Sequence, residues 1–380
     1  MAEPRRALGG RFCPELTPEL YREIAGLMGT RSDLASLARV SRGFQAAAEY
    51  SLYNTLYLID PTCAMAAFRT LASQPRLAVL VDALTLYVPS DEEAYMDSED
   101  DVDMDVSMAL PEGYWHATAS ALRSMTRLRH LDVQISTEEQ AQNAWILDDC
   151  SFRLRSFQCD FDWDAHLATF LNSQTDILDL CLLNFRKDSE GAGLSPDALP
   201  RLTIFHCPVL DASSVFLRNR PVTHLKTCLS SMRHSHSRAT ELLAESLRYA
   251  SKPLRALDIA DLPYCDPMEL DWLVAASVDE LRFLGTLALP VNGEARLRFY
   301  ASLMRLPYLQ CVTLDVSHWT PAPGSVVAFR ALADEMRLYK PLIKTVIFVY
   351  GEFDRAVMTD DDGLFQLDEL AGQDDLWREL

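Results

Sequence analysis

One short unit, apolar-x-x-apolar-x-apolar, recurs eleven times and limits what this chain can fold into more than any other feature. It starts at Tyr53 (then Leu56, Leu58), Val81 (Leu84, Leu86), Leu128 (Leu131, Val133), Leu154 (Phe157, Cys159) and Ile177 (Leu180, Leu182). It continues at Leu199 (Leu202, Ile204), Val222 (Leu225, Thr227) and Leu254 (Leu257, Ile259). The last three start at Leu281 or Leu284, at Leu309 (Val312, Leu314) and at Ile343 (Val346, Phe348). Apolar residues at alternate positions mark a strand, so each unit predicts one. Most steps are about 22–34 residues, room for one strand and one helix per repeat.

Amphipathic stretches fill the gaps. Thr62–Ser73 places Met65, Phe68 and Leu71 on one helical face, and Leu242, Leu243 and Leu247 precede the Leu254 strand. Leu297, Tyr300 and Leu303 precede Leu309, and Phe329, Leu332 and Met336 precede Ile343. Each repeat buries three or four apolar side chains at about 1.5–3 kcal/mol each. Ordering its backbone costs about 1–2 kcal/mol per residue. No repeat stands alone, and stacking must supply the difference. The expected fold class is therefore an α/β solenoid over 53–350, with a parallel sheet on the concave side and helices on the convex side. The regular units and the lack of a glycine-rich phosphate loop separate it from an ordinary doubly wound α/β fold.

A solenoid needs its ends covered. In the last strand Thr345, Ile347 and Val349 take positions that other strands fill with polar groups. Residues 351–380 carry Leu364, Phe365, Leu367, Leu370, Leu376, Trp377 and Leu380 among their acids. They read as an acidic C-terminal cap, with a disordered acidic extension as the competing reading.

The 380 residues, 49% of them hydrophobic, suffice for a sizeable core. The net charge of −20 is concentrated in two places. About ten acids and no base lie between Pro89 and Glu112, and about ten acids against Arg355 and Arg378 lie beyond Gly351. Generic binding to nucleic acid or an anionic membrane is disfavoured. No apolar run reaches membrane-spanning length, and M-A-E-P-R-R has no signal-peptide core. Nine cysteines without a C-x-x-C pair read as reduced core thiols of a cytoplasmic or nuclear protein.

Ahead of the repeats, Leu16, Leu20, Ile24 and Leu27 recur at helical spacing, with Thr17 as cap and Pro18 in the first turn. Ser32 is the expected cap of a second helix with Leu34, Leu37 and Val40 inward, and Ser41 opens a third carrying Phe44, Ala47 and Ala48. Three helices within residues 11–52 are too few to bury their apolar faces alone. Residues 1–10 read as disordered.

The order Leu16, Pro18, Glu19, Leu20, Ile24, Asp33, Leu34, Val40, Ser41, Arg42, Phe44 resembles an F-box, with Thr17 where many members have a first proline. The repeats that follow resemble the divergent leucine-rich repeats that accompany many F-boxes. The resemblance implies a non-catalytic substrate receptor of a Skp–cullin–F-box ubiquitin ligase. Leu16, Pro18, Leu20, Ile24, Leu34, Leu37, Val40 and Phe44 would then take the family's adaptor-facing and core positions, against a Skp-type adaptor that leads to a cullin-RING core. The rival is a leucine-rich-repeat scaffold or inhibitor whose first helices are only a cap.

For the protein target, the stretch from Ala212 to Thr240 is basic and free of acids. Residues between the buried strand positions point to the concave face. That reading places Arg201 and Thr203 beside His224 and Lys226, with Arg233 and Arg238 on the adjoining rim. Arg201, His224, Lys226, Arg233 and Arg238 are the candidate contacts for an acidic or phosphorylated segment, against a plain solvated basic loop. Phe205, Tyr264, Trp319 and Tyr350, at or just past strand ends, are candidate rim anchors or packing residues. The insertion 89–112 reads as a solvated loop, with Ser90 and Ser98, each followed by acids, as candidate phosphorylation sites. His234 and His236 do not make a metal site, and no cofactor or catalytic constellation is expected.

Overall fold

The computed structural model describes residues 16–88, 110–136, 140–185, 193–228, 236–262, 280–351, 354–361, 363–368 and 376–380. Ser90, Ser98, Arg233, His234 and Tyr264 lie outside them, as does the side chain of Arg238.

The repeat units become strands. β1 (Thr55–Leu58), β2 (Ala83–Val88), β3 (His130–Ile135), β4 (Ser156–Cys159), β5 (Asp179–Leu182) and β6 (Ile204–His206) come first. β7 (His224–Cys228), β8 (Ala256–Leu262), β9 (Phe283–Ala288), β10 (Cys311–Asp315) and β11 (Thr345–Tyr350) follow. All eleven pair in parallel, in sequence order. β12 (Asp354–Asp361) and β13 (Leu364–Leu367) then add antiparallel strands to the same open, thirteen-stranded sheet. A sheet whose spatial order equals its chain order is what a solenoid-like α/β fold requires.

Register shows why the units repeat. Leu84, Leu131, Phe157 and Leu180 are successive partners, followed by Phe205, Leu225, Leu257, Leu284, Val312 and Val346. All of them are buried in one continuous core. One residue below the strands the ladder continues through backbone bonds: Arg155 donates to the Arg129 carbonyl and Arg282 to that of Arg255, each at 2.7 Å. The ninth unit starts at Leu281, the buried residue three before Leu284. The sixth starts at Leu202 and not at Leu199. Phe205, not Leu202, stands in register with Leu180, and Ile204 takes the opposite face.

Helices other than the last cover the Leu84–Val346 face. α1 (Pro18–Gly26), α2 (Arg31–Leu37) and α3 (Arg42–Tyr53) precede the sheet. α4 (Pro61–Ser73), α5 (Pro75–Ala78), α6 (Tyr114–Ser124), α7 (Ala165–Ser173), α8 (Leu210–Phe216) and α9 (His236–Leu247) alternate with its strands. α10 (Gly293–Met304) and α11 (Val326–Tyr339) follow, and α12 (Leu376–Glu379) closes the chain. Local signals start these helices: Asp60 Oδ1 accepts from the Cys63 amide at 2.7 Å, and Asp164 Oδ1 from that of Leu167 at 2.8 Å. Among the described residues no helix is long and apolar enough to cross a membrane.

Candidate functional site

The first three helices form a small module with its own core. Ala25, Leu34, Ala47 and Ala48 are buried, and Tyr21, Met28, Leu37, Ala38 and Leu52 pack on them. The caps differ in part from the sequence expectation. Ser41 Oγ accepts from the Phe44 amide at 3.3 Å, as its position predicts. Thr17 makes no side-chain cap bond. Thr30, not Ser32, caps α2: its Oγ1 accepts from the Asp33 amide at 3.1 Å and donates to the Asp33 carboxylate at 2.8 Å. Both Thr30 and Ser32 precede Leu34, and only Thr30 has an acid three residues on to reciprocate. Gly43 lets α1 approach α3, because a Cβ there would lie 2.5 Å from the Tyr21 ring. That ring meets Phe44 edge-on at 4.7 Å.

α3 joins the module to the sheet. Its Glu49 pairs with Arg76 at 2.5 Å, and Tyr53 packs on the main core. Several apolar residues of the module are left open, on α1, at its two ends and in the turn after α2. Leu16 and Leu20 are exposed, Val40 is 65% exposed and Leu27 84%. The eight residues that the F-box resemblance would assign to adaptor and core positions differ in exposure. Leu16, Pro18, Leu20 and Val40 face outward, Ile24, Leu37 and Phe44 are half-buried, and Leu34 belongs to the module's interior. Val40 is not inward as its spacing suggested, because α2 ends at Leu37 and the chain turns before reaching it. Leu27 was visible only as part of the helix period, since it is not a residue of the matched pattern.

A second surface is the sheet face opposite the helices. Over β3–β8 it is mostly polar, apart from Ile204 and Ala256. Lys226 stands in register with Asp258 and pairs with it at 3.2 Å. Cys181 Sγ and His206 Nδ1 are 3.2 Å apart. Burial, with Lys226 and Arg378 nearby, pushes the His206 imidazole down to about 4. His224 Nδ1 contacts Thr223 Oγ1 at 2.9 Å, its Nε2 is buried without a partner, and burial lowers its pKa. Asp132 takes a 2.8 Å bond from Gln134 and Asp160 one from the Ile135 amide, also at 2.8 Å. One oxygen of each is buried and unpartnered. Burial raises both carboxyls, Asp132 to about 6 with the Asp160 charge adding to it.

Toward β12 the same face turns apolar. Ala256, Phe283, Cys311, Ile347 and Val357 are buried there, with Ile204 half-buried at the margin. Their cover is Trp377 of α12, itself buried. Arg378 lies over the Trp377 ring and donates to the Asp179 carboxylate. The segment Leu376–Leu380 thus sits across the surface on which the sequence placed target contacts.

Among the described residues, the basic side chains named as target contacts do not gather in one patch. Arg201 lies below β6, where it pairs with Asp176 at 3.5 Å. Thr203 is likewise below the strand, and Ile204 and His206 are the residues beside His224 and Lys226. The shift follows from the sixth unit starting three residues later. Arg220 is buried and donates to the carbonyls of Ala198, Val215, Arg218 and Ser195, a purely structural use of the charge. Arg218 stacks on Tyr249 on the helical side, 5.1 Å from the ring centre. Of the candidate anchors, Phe205 is core, while Trp319 donates to the Leu289 carbonyl at 2.8 Å and Tyr350 packs on Phe329. A basic edge that sequence reasoning missed lies below β3–β5. Arg127, Arg129, Arg153 and Arg155 line an open depression of about 310 Å³ there. Each stands one or three residues before a strand, a regularity visible once the register is known.

No family model matches the chain, and no curated protein matches it in sequence.

Proposed function

We propose that this chain is a substrate receptor of a Skp–cullin–F-box ubiquitin ligase, an F-box followed by a leucine-rich-repeat solenoid. The F-box, α1–α3, docks a Skp-type adaptor, and the sheet with its loops holds a protein target. The observation that carries the reading is the set of exposed apolar side chains on the first module. Its interior is closed by Ala25, Leu34, Ala47 and Ala48, yet Leu16, Leu20, Leu27 and Val40 of the same module face solvent. Exposed apolar residues grouped in this way mark a protein interface. Leu16, Leu20 and Val40 are motif positions of the F-box resemblance.

The chain does no bond chemistry in this scheme. It raises the effective concentration of a target lysine near a ubiquitin thioester held by other subunits. Because α3 joins the module to the repeat core through Tyr53, and pairs with α5 through Glu49 and Arg76, docking at one end fixes the position of a target at the other. Co-purification tests the reading. The intact chain recovers a Skp-type adaptor from cells, and the Leu20→Asp/Ile24→Asp variant does not. Failure of the intact chain to recover it leaves the repeat sheet as a scaffold or inhibitor without a ligase.

A further inference from the structure

A sheet face turned to water carries polar side chains at its outward positions. Here Ala256, Phe283, Cys311, Ile347 and Val357 are apolar and buried on that face, and a single indole, Trp377, completes their cluster. The adjoining strands supply the opposite chemistry: the Asp179 carboxylate receives the neighbouring Arg378. His206 presents its ring edge-on to Trp377, with 6.3 Å between centroids. An aromatic socket beside an acidic one is therefore built from five or more strands and filled by two consecutive residues of this chain.

We infer that this face is a binding site for peptide segments carrying an aromatic residue followed by a cationic one, and that Leu376–Leu380 is its intramolecular occupant. The site extends past that occupant. An open cavity of about 200 Å³ adjoins Arg378, lined by Ser156, Phe157, Gln158, Asp179 and Cys181. Asp132 on β3, and Asp160 one residue past the end of β4, each hold a buried carboxylate oxygen with no partner. A second cationic side chain on a longer segment meets the accessible side of those two half-buried carboxyl groups, which Leu376–Leu380 leaves unused. The resident segment is one short helical turn held by one indole, by Leu376 and Leu380 packed beside it, and by one guanidinium. Its advantage is that it is tethered, which corresponds to an effective concentration on the order of millimolar. A segment that also reaches Asp160 and Asp132 has the contacts to displace it. Nothing in this inference depends on the ligase reading, and its test uses the purified full-length chain alone.

The probe is a fluorescein-labelled peptide of residues 374–380, D-D-L-W-R-E-L, with control peptides in which the tryptophan is alanine or the arginine is glutamate. The full-length Trp377→Ala/Arg378→Ala variant, its socket vacated, binds the probe with a Kd on the order of 10–100 µM. Wild type binds about tenfold more weakly or less, because its own segment competes. The alanine control peptide weakens binding about a hundredfold, out of the measurable range, whereas the glutamate control, or adding Asp179→Asn to the vacated variant, weakens it about three- to fivefold. A vacated variant that melts cooperatively yet ignores the probe, or that binds the controls equally well, overturns the inference. Should that variant fail to fold, the measurement moves to wild type. Excess of a peptide with two basic residues after its tryptophan must then raise amide exchange at Leu376–Leu380; unchanged protection overturns the inference.

Discussion

The Arg378 guanidinium donates to the Asp179 carboxylate across 199 positions of the chain, and this closes the final segment onto the sheet face opposite the helices. The two residues of this latch differ in energetic weight. Trp377 is buried against Phe283, Ile347 and Val357, so Trp377→Ala costs about 3 kcal/mol, the lower end for a large aromatic. Arg378 and Asp179 keep side-chain exposures of 20% and 24%, so Arg378→Ala costs about 1 kcal/mol or less. Urea midpoints at neutral pH check the order; equal losses contradict it.

Arg220 predicts a sharper contrast. It is 2% exposed and donates to four backbone carbonyls, whereas its neighbour Arg218 makes one cation–π contact with Tyr249. Arg220→Met strands those carbonyls and costs about 3 kcal/mol. Arg218→Ala costs about 0.5–1 kcal/mol. Thermal melts of the two variants side by side measure the difference.

Acid sensitivity follows from two groups that oppose each other. Asp132 titrates near 6 in the folded chain against 3.8 in its ordinary state. The folded state therefore holds its proton longer, and stability falls as pH rises from about 4 to 6. His206 is lowered to about 4 from 6.5, so the unfolded chain takes the proton first and stability rises with pH over the same range. The two slopes offset in wild type. Asp132→Asn should steepen the loss of stability on acidification from pH 6 to 4, and His206→Gln should flatten or reverse it. Denaturant midpoints across that range give both signs, and identical profiles contradict the assignment.

Gly43 sets two effects against each other. Alanine in a helix gains about 0.5–1 kcal/mol over glycine. The new Cβ, however, would stand 2.5 Å from the Tyr21 ring and force it off Phe44. Overpacking wins, at a net cost of about 1–2 kcal/mol. The loss is local: amide exchange in Pro18–Gly26 accelerates while the sheet keeps its protection.

The repeat was legible because its buried triad is periodic and its chemistry uniform. Legibility failed where a second surface is also buried. At L-P-R-L-T-I-F-H-C, Leu199 and Leu202 are both buried and Ile204 is apolar, so the sixth unit reads equally well three residues early. Ile204 is apolar for a different reason, its place at the margin of the Trp377 cluster. The same cover explains Ile347 in the last parallel strand, and no local pattern could reveal a partner some thirty positions away. The apolar content of 351–380 did show that something folds back. That Phe365 joins the main core while Trp377 crosses to the other face depends on tertiary geometry. The basic stretch misled for a related reason: charge in sequence does not distinguish a guanidinium holding four carbonyls from one facing a partner.

Calorimetric titration of the purified full-length chain with a purified Skp-type adaptor tests the central claim most directly. The predicted result is one-to-one binding at a Kd of about 1 µM or tighter, with a negative heat-capacity change as Leu16, Leu20, Leu27 and Val40 leave water. Leu20→Asp/Ile24→Asp should abolish the heat without lowering the melting temperature of the sheet. A folded wild-type chain that gives no binding heat at any temperature tried, and no complex on gel filtration, contradicts the claim.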